Sequence, residues 1–159
     1  MENSTPYFTR LVENYIKYRP GYPQAIIDLL QRECSLTTKA IIADIGSGTG
    51  LLTELFLRNG HQVFGIEPHP AMRAAAQHLL QGYPRFTSIA ATAEATTLAD
   101  HSVDVVDAEQ AFHWFDRERA RREFARILVP KGWVVLAWND QRTTGIPFLV
   151  ALERFGRRT

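Results

Sequence analysis

Strand-like apolar runs and amphipathic helical segments take turns along this sequence, and that alternation leaves few folds open. Ala40 to Ile45, Gln62 to Glu67, residues near Arg85 to Ala90, Ser102 to Ala108 and Trp133 to Trp138 read as strands. Helical stripes lie between them: Leu51, Leu52, Leu55 and Phe56, then Met72, Ala75, Ala76 and Leu79, then Ala120, Phe124, Ile127 and Leu128. Strands and helices alternating in pieces of about 10–15 residues build a parallel sheet through right-handed crossovers, with helices on both faces. The expected fold is therefore α/β, a doubly wound, mostly parallel sheet of about five strands, in one domain spanning residues 1–159.

The punctuation agrees with this division. Asn59-Gly60 is a left-handed helix stop, Pro70 suits a first helical turn, Asp116 is an N-cap, and Pro130-Lys131-Gly132 turns into the fifth strand. Phe8, Leu11, Tyr15 and Tyr18 predict an N-terminal amphipathic helix ended by Pro20-Gly21. A second helix begins near Pro23 and runs through Ile26, Ile27, Leu29 and Leu30 toward Cys34, and Phe148, Leu149, Leu152 and Phe155 open a last one.

Composition narrows the function classes. Lys plus Arg number 18 against 17 Asp plus Glu, so the net charge of +1 supplies no general field for nucleic acid or an anionic membrane. With Cys34 the single cysteine, no signal-peptide pattern and no apolar run near the ~20 residues of a membrane span, the expectation is a soluble protein of the reducing cytoplasm. His61, His69, His78 and His101 have no zinc-ligand spacing; they are expected on the surface or in loops, and no metal is expected.

Open parallel sheets bind ligands beyond the carboxyl ends of their strands. There, after the first strand, stands Ala43-Asp44-Ile45-Gly46-Ser47-Gly48-Thr49-Gly50. Glycines in such a turn let the backbone bend sharply and approach a ligand with no Cβ between. Glu67 ends the next strand about 20 residues on, where a carboxylate can accept both hydroxyls of a ribose. A dinucleotide fingerprint would need its third glycine at the position of Leu51, and Asp44 would repel a pyrophosphate. A nucleoside carrying an ammonium and a sulfonium suits that charge.

These residues resemble the first motif of class I S-adenosylmethionine-dependent methyltransferases. Glu67-Pro68 is similar to their ribose turn, Thr92-Ala93-Glu94-Ala95 to their adenine-side loop, and Val129-Pro130-Lys131-Gly132-Trp133 to the turn before their fifth strand. Residues 18–23 (Tyr-Arg-Pro-Gly-Tyr-Pro) and 111–116 (Ala-Phe-His-Trp-Phe-Asp) resemble the methyltransferase type 11 branch that includes fungal trans-aconitate methyltransferase-like proteins. The resemblance implies a Rossmann-like methyltransferase fold and S-adenosylmethionine as cofactor. It sets Gly46, Gly48 and Gly50 beside the methionyl part, Glu67 on ribose, and Ala93 and Glu94 near adenine. Arg19, Asp44, Ser47, Pro68 and Gln110 complete the cofactor-binding set, with Arg19 open between the cofactor carboxylate and solvent.

His113 would line the reaction cavity, where an imidazole can orient an acceptor or take its proton; packing behind the fourth strand is the other reading. The implied reaction is methyl transfer to a small-molecule acceptor, with a carboxylate one candidate, and the alternative is a non-catalytic module that binds the cofactor or a protein. Family members continue through two strands forming an antiparallel hairpin, whereas this sequence stops at Arg157-Arg158-Thr159. The expectation is thus a C-terminally truncated domain without that hairpin, its fifth strand an exposed edge through which two copies could pair.

Overall fold

The structure is a computed structural model that describes residue 10 and residues 21–109, 114–139 and 148–154, with no side chains described beyond residue 137. In chain order the elements are α1 (Ala25–Cys34), β1 (Ile41–Ile45), α2 (Leu51–Arg58), β2 (Gln62–Ile66), α3 (Pro70–Leu79), β3 (Phe86–Ile89), β4 (Val103–Glu109), α4 (Arg117–Ile127), β5 (Leu128–Asn139) and β6 (Phe148–Arg154). The strands form one sheet in the order β3-β2-β1-β4-β5-β6. The first five are mutually parallel, as the alternation requires. Winding runs outward from β1 through β2 to β3, then returns to β4 on the other side, so the switch point lies between the ends of β1 and β4.

Both sheet faces are covered, and strand residues divide between them with period two. Ile42, Val63, Val105 and Val135 pack with Ile27 and Leu30 of α1 and Leu55 and Phe56 of α2. Ala43, Ile45, Ile66, Val106 and Val134 face Ala120, Phe124 and Ile127 of α4 instead. Each fully buried Leu, Ile or Phe contributes about 1.5–3 kcal/mol, so two such layers hold the sheet rigidly under its loops.

The helix signals act where the sequence places them. Gly60 is left-handed (φ 89°) after α2, Pro70 opens α3, and the Asp116 carboxylate accepts the Arg119 N–H at 3.1 Å to cap α4. The Pro130-Lys131-Gly132 turn is drawn into β5: the β4–β5 register is irregular between Val103 and Val105, and Lys131 is left-handed there (φ 67°). The predicted N-terminal helix lies outside the described residues.

Three expectations are corrected. Residues 148–154 form a strand, not a helix, antiparallel to β5 from Asn139↔Phe148 to Trp133↔Arg154. Seven residues with apolar positions at 148, 149 and 152 satisfy a helical stripe and a strand alike, and the unpaired N–H and C=O groups along β5 decide in favour of pairing. For the same reason the fifth strand is not an exposed edge; β6 covers it. His61 does lie in a loop but is 1% exposed, its ring edge-on to Phe56 with centroids 5.9 Å apart, because the short turn between α2 and β2 folds it onto the core. Among the described residues no helix is long and apolar enough to cross a membrane.

Candidate functional site

The loop after β1 stands at the switch point. Its entry is pinned to the neighbouring strand: the Ile66 carbonyl accepts the N–H of Gly46 at 2.7 Å and of Ser47 at 3.1 Å, and the Ser47 carbonyl accepts the Gly50 N–H at 2.9 Å. Gly50 is left-handed (φ 88°), and a Cβ there would meet Leu80 Cδ1 at 2.6 Å. Gly48 is left-handed as well (φ 57°), but a Cβ there would stand in open space. One glycine therefore serves packing, and the other leaves the main chain bare where a ligand can lie.

Glu67 follows β2 directly and is 9% exposed. Its Oε2 accepts the Gly48 N–H at 2.9 Å and its Oε1 the His69 N–H at 3.0 Å. Arg73 of α3 donates to the carbonyls of Glu67 and Pro68, both at 2.8 Å, which locks the turn beneath the carboxylate. An ionised carboxylate offers about four acceptor sites, so two remain for a vicinal diol.

The loop after β3 is held from behind. Thr96 donates its N–H and hydroxyl to Glu123 Oε1 at 2.8 and 2.6 Å, and Arg126 grips both Glu123 oxygens at 2.6 and 2.9 Å. The Arg126 guanidinium, together with the Thr96 bonds, holds the Glu123 carboxyl down at about 2. Ala93 is buried, 4% exposed, within this loop. The Glu94 carboxylate accepts the Asp116 N–H at 2.8 Å, tying the loop to the start of α4.

Asp44 lies under the glycine loop, 1% exposed, and accepts the Thr53 hydroxyl. Its register partner on β4 is Asp107, 0% exposed. Burial raises the Asp44 carboxyl to about 6, and burial together with the Asp44 charge raises Asp107 well above the usual carboxylate range.

The structure thus brings together Asp44, Gly46, Ser47, Gly48, Gly50, Glu67 and Pro68, with Ala93 and Glu94 in a loop braced against α4. Arg19, Gln110 and His113 lie outside the described residues. Sequence reasoning missed Thr53, Arg73, Asp107 and Glu123. Thr53 and Asp107 carried a signal: each is a polar residue beside buried apolar neighbours, Thr53 after Leu52 and Asp107 between Val106 and Ala108. Arg73 and Glu123 sit among many charged helix residues and had none.

The site fits an adenosyl sulfonium. A diol acceptor, a bare glycine turn and buried acidic groups converge at one switch point, and no group of three or more His, Cys, Asp or Glu suited to a metal occurs among the described residues. The profile of the family described as "Methyltransferase domain" matches residues 43–136. An uncharacterized methyltransferase-like protein of Schizosaccharomyces pombe is 33% identical over 144 residues, covering 90% of this chain and 55% of the relative. An uncharacterized methyltransferase of Mycobacterium bovis is 37% identical over 134 residues, covering 84% and 52%. A solved structure from Anaeromyxobacter dehalogenans, provisionally designated a type II methyltransferase, superposes with a TM-score of 0.66 at 30% identity, covering 77% of this chain and 50% of that one. The chain spans about half the length of the curated relatives it matches.

Proposed function

The chain belongs to the class I S-adenosylmethionine-dependent methyltransferases, and from that membership we propose that it binds S-adenosylmethionine and directs methyl transfer to a small-molecule acceptor. The observation that carries this reading is the Glu67 carboxylate, aimed by Gly48 and His69 and left with acceptor capacity for a ribose diol. The cofactor supplies a methyl group already activated by its sulfonium. The chain's own task is positioning: the bare main chain at Gly48 carries the amino-acid tail, Glu67 fixes the sugar, and Ala93 offers an apolar wall to the base.

A carboxylate acceptor is favoured by the resemblance of residues 18–23 and 111–116 to the trans-aconitate branch. Such a nucleophile attacks without losing a proton and needs no general base. If the acceptor is a hydroxyl or amine, His113 is the base. The buried, free Cys34 supports a reducing cytoplasm as the working compartment.

Calorimetry with S-adenosylmethionine and S-adenosylhomocysteine tests the cofactor, and label transfer from methyl-tritiated cofactor to a panel of di- and tricarboxylates tests the reaction. The second reading is a module that binds the cofactor without transferring its methyl group. Tight binding with no transfer across the panel would support that reading.

A further inference from the structure

Asp44 and Asp107 stand side by side at the centre of the sheet. They are register partners on adjacent parallel strands, so their side chains project from the same face with main chains about 4.8 Å apart. Both are sealed from solvent, at 1% and 0% exposure. Asp44 has the Thr53 hydroxyl as a donor. Among the described residues neither Asp107 side-chain oxygen meets a well-formed hydrogen bond, and its own backbone N–H is the last of the influences on it; its neighbour is the Asp44 carboxyl, and two carboxyls can bond only when one of them holds a proton.

Among the described residues no cation relieves the pair. On β2 the adjoining register position is Gly65, and on β5 it is Val135. From α2 comes the Thr53 hydroxyl. The other charged groups acting on the pair are Glu109, two residues on along β4, and Glu67, past the end of β2, and both are acidic. Two buried carboxylates in contact cannot both ionise, so the pair keeps a proton until a cation arrives.

We propose that Asp44 and Asp107 share one proton beneath the glycine loop and form a proton-linked counter-ion, releasing that proton when a cationic cofactor binds above them. The proposal rests on the reading of this loop as the S-adenosylmethionine site. That ligand brings an ammonium and a sulfonium against one carboxylate; its demethylated product has lost the sulfonium. A second negative charge becomes stable beneath the loop only while the cation is present, and the displaced proton passes to the buffer. The linkage also sets a preference for substrate over product, because the product compensates the second charge less well.

The test counts protons. Binding enthalpy is measured at pH 6.5, where the ligand's own amine is already protonated, in buffers of low and high ionisation enthalpy. The wild type is expected to release about one proton per S-adenosylmethionine and clearly less per S-adenosylhomocysteine, with S-adenosylmethionine affinity rising up to about tenfold per pH unit across the pair's titration. Asp107→Asn is expected to bind with no dependence on buffer. Binding of S-adenosylmethionine without proton release in the wild type overturns the proposal and leaves the cofactor assignment standing; failure of the wild type to bind either ligand removes both. Carbon-13 carboxyl spectra of the ligand-free wild type give a second reading that needs no variant. A buried aspartate still protonated at pH 6.5 is expected, and ordinary titration of every aspartate would overturn the proposal.

Discussion

Glu67 reaches back across the sheet to Gly48, accepting its N–H at 2.9 Å, and with its other oxygen takes the His69 N–H at 3.0 Å. Both partners are donors, so the side chain must be an acceptor on both oxygens. Glutamine offers one oxygen and one NH2, and its NH2 would confront an N–H. Glu67→Gln is therefore expected to weaken S-adenosylmethionine binding nearly as much as Glu67→Ala, both by about 2–3 kcal/mol, or roughly 30- to 150-fold, read by calorimetry. A glutamine variant that binds like the wild type would show that the carboxylate does not hold the sugar.

Gly50 and Gly48 share a left-handed backbone but differ in their surroundings. Alanine at position 50 adds a collision with Leu80 to the backbone strain and is expected to cost about 2–4 kcal/mol in urea unfolding. Alanine at position 48 adds only the strain, about 1–2 kcal/mol. Because Leu80 is itself buried, the comparison is made within the Leu80→Ala background: there Gly50→Ala should cost less than in the wild type, the collision being gone and the strain remaining, and an equal cost in both backgrounds would place the cost elsewhere.

What could be read in advance is what local backbone chemistry dictates. Pro70 and Asp116 act within a few residues of themselves, the left-handed backbone at Gly46, Gly48 and Gly50 is a local conformation, and Glu67 lies at a strand end whose distance from the glycine turn is set by one crossover. Asp107 is different: alone in the sequence it is one acid in a strand, and its meaning comes from the register that sets it beside Asp44. Glu123 likewise gains its role only when α4 packs behind the loop carrying Thr96. The strand at residues 148–154 was misread because its pairing depends on β5, not on its own pattern.

Glu123 braces the loop that would meet adenine. Its carboxyl is held at about 2 against an ordinary 4.5, chiefly by Arg126, so its stabilising contribution is complete above pH 4.5 and is lost as the pH falls toward 2. Glu123→Gln should cost about 1–3 kcal/mol near pH 7 and flatten that acid limb. Amide exchange at Thr96 and Leu98 should accelerate in the variant well beyond the global change; unchanged protection there would show that the loop is held by other contacts.

His61 acts at milder acidity. Burial pushes its imidazole below the ordinary 6.5, with the Ala40 backbone opposing weakly, so the native state prefers it neutral. The unfolded chain then binds the proton more readily, and stability falls as the pH drops below 6.5. His61→Phe, which keeps a ring against Phe56, is expected to remove this slope between pH 6.5 and 5 in denaturant titrations.

The carboxyl pair has the opposite sign. Asp44 is raised from 3.8 to about 6 and Asp107 well above the same ordinary value, so the native state holds protons that the unfolded chain has already given up. Their penalty is absent below pH 3.8 and grows as the pH rises through the folded values, which makes the ligand-free protein less stable at pH 8 than at pH 5 from this source. Asp107→Asn removes the second ionisable group while keeping the shape, and its amide can donate to Asp44. It should be more stable than the wild type at pH 8, by about 1–3 kcal/mol in urea unfolding, with the difference shrinking toward pH 5. An equal loss of stability at both pH values would mean that the two carboxyls do not share a proton.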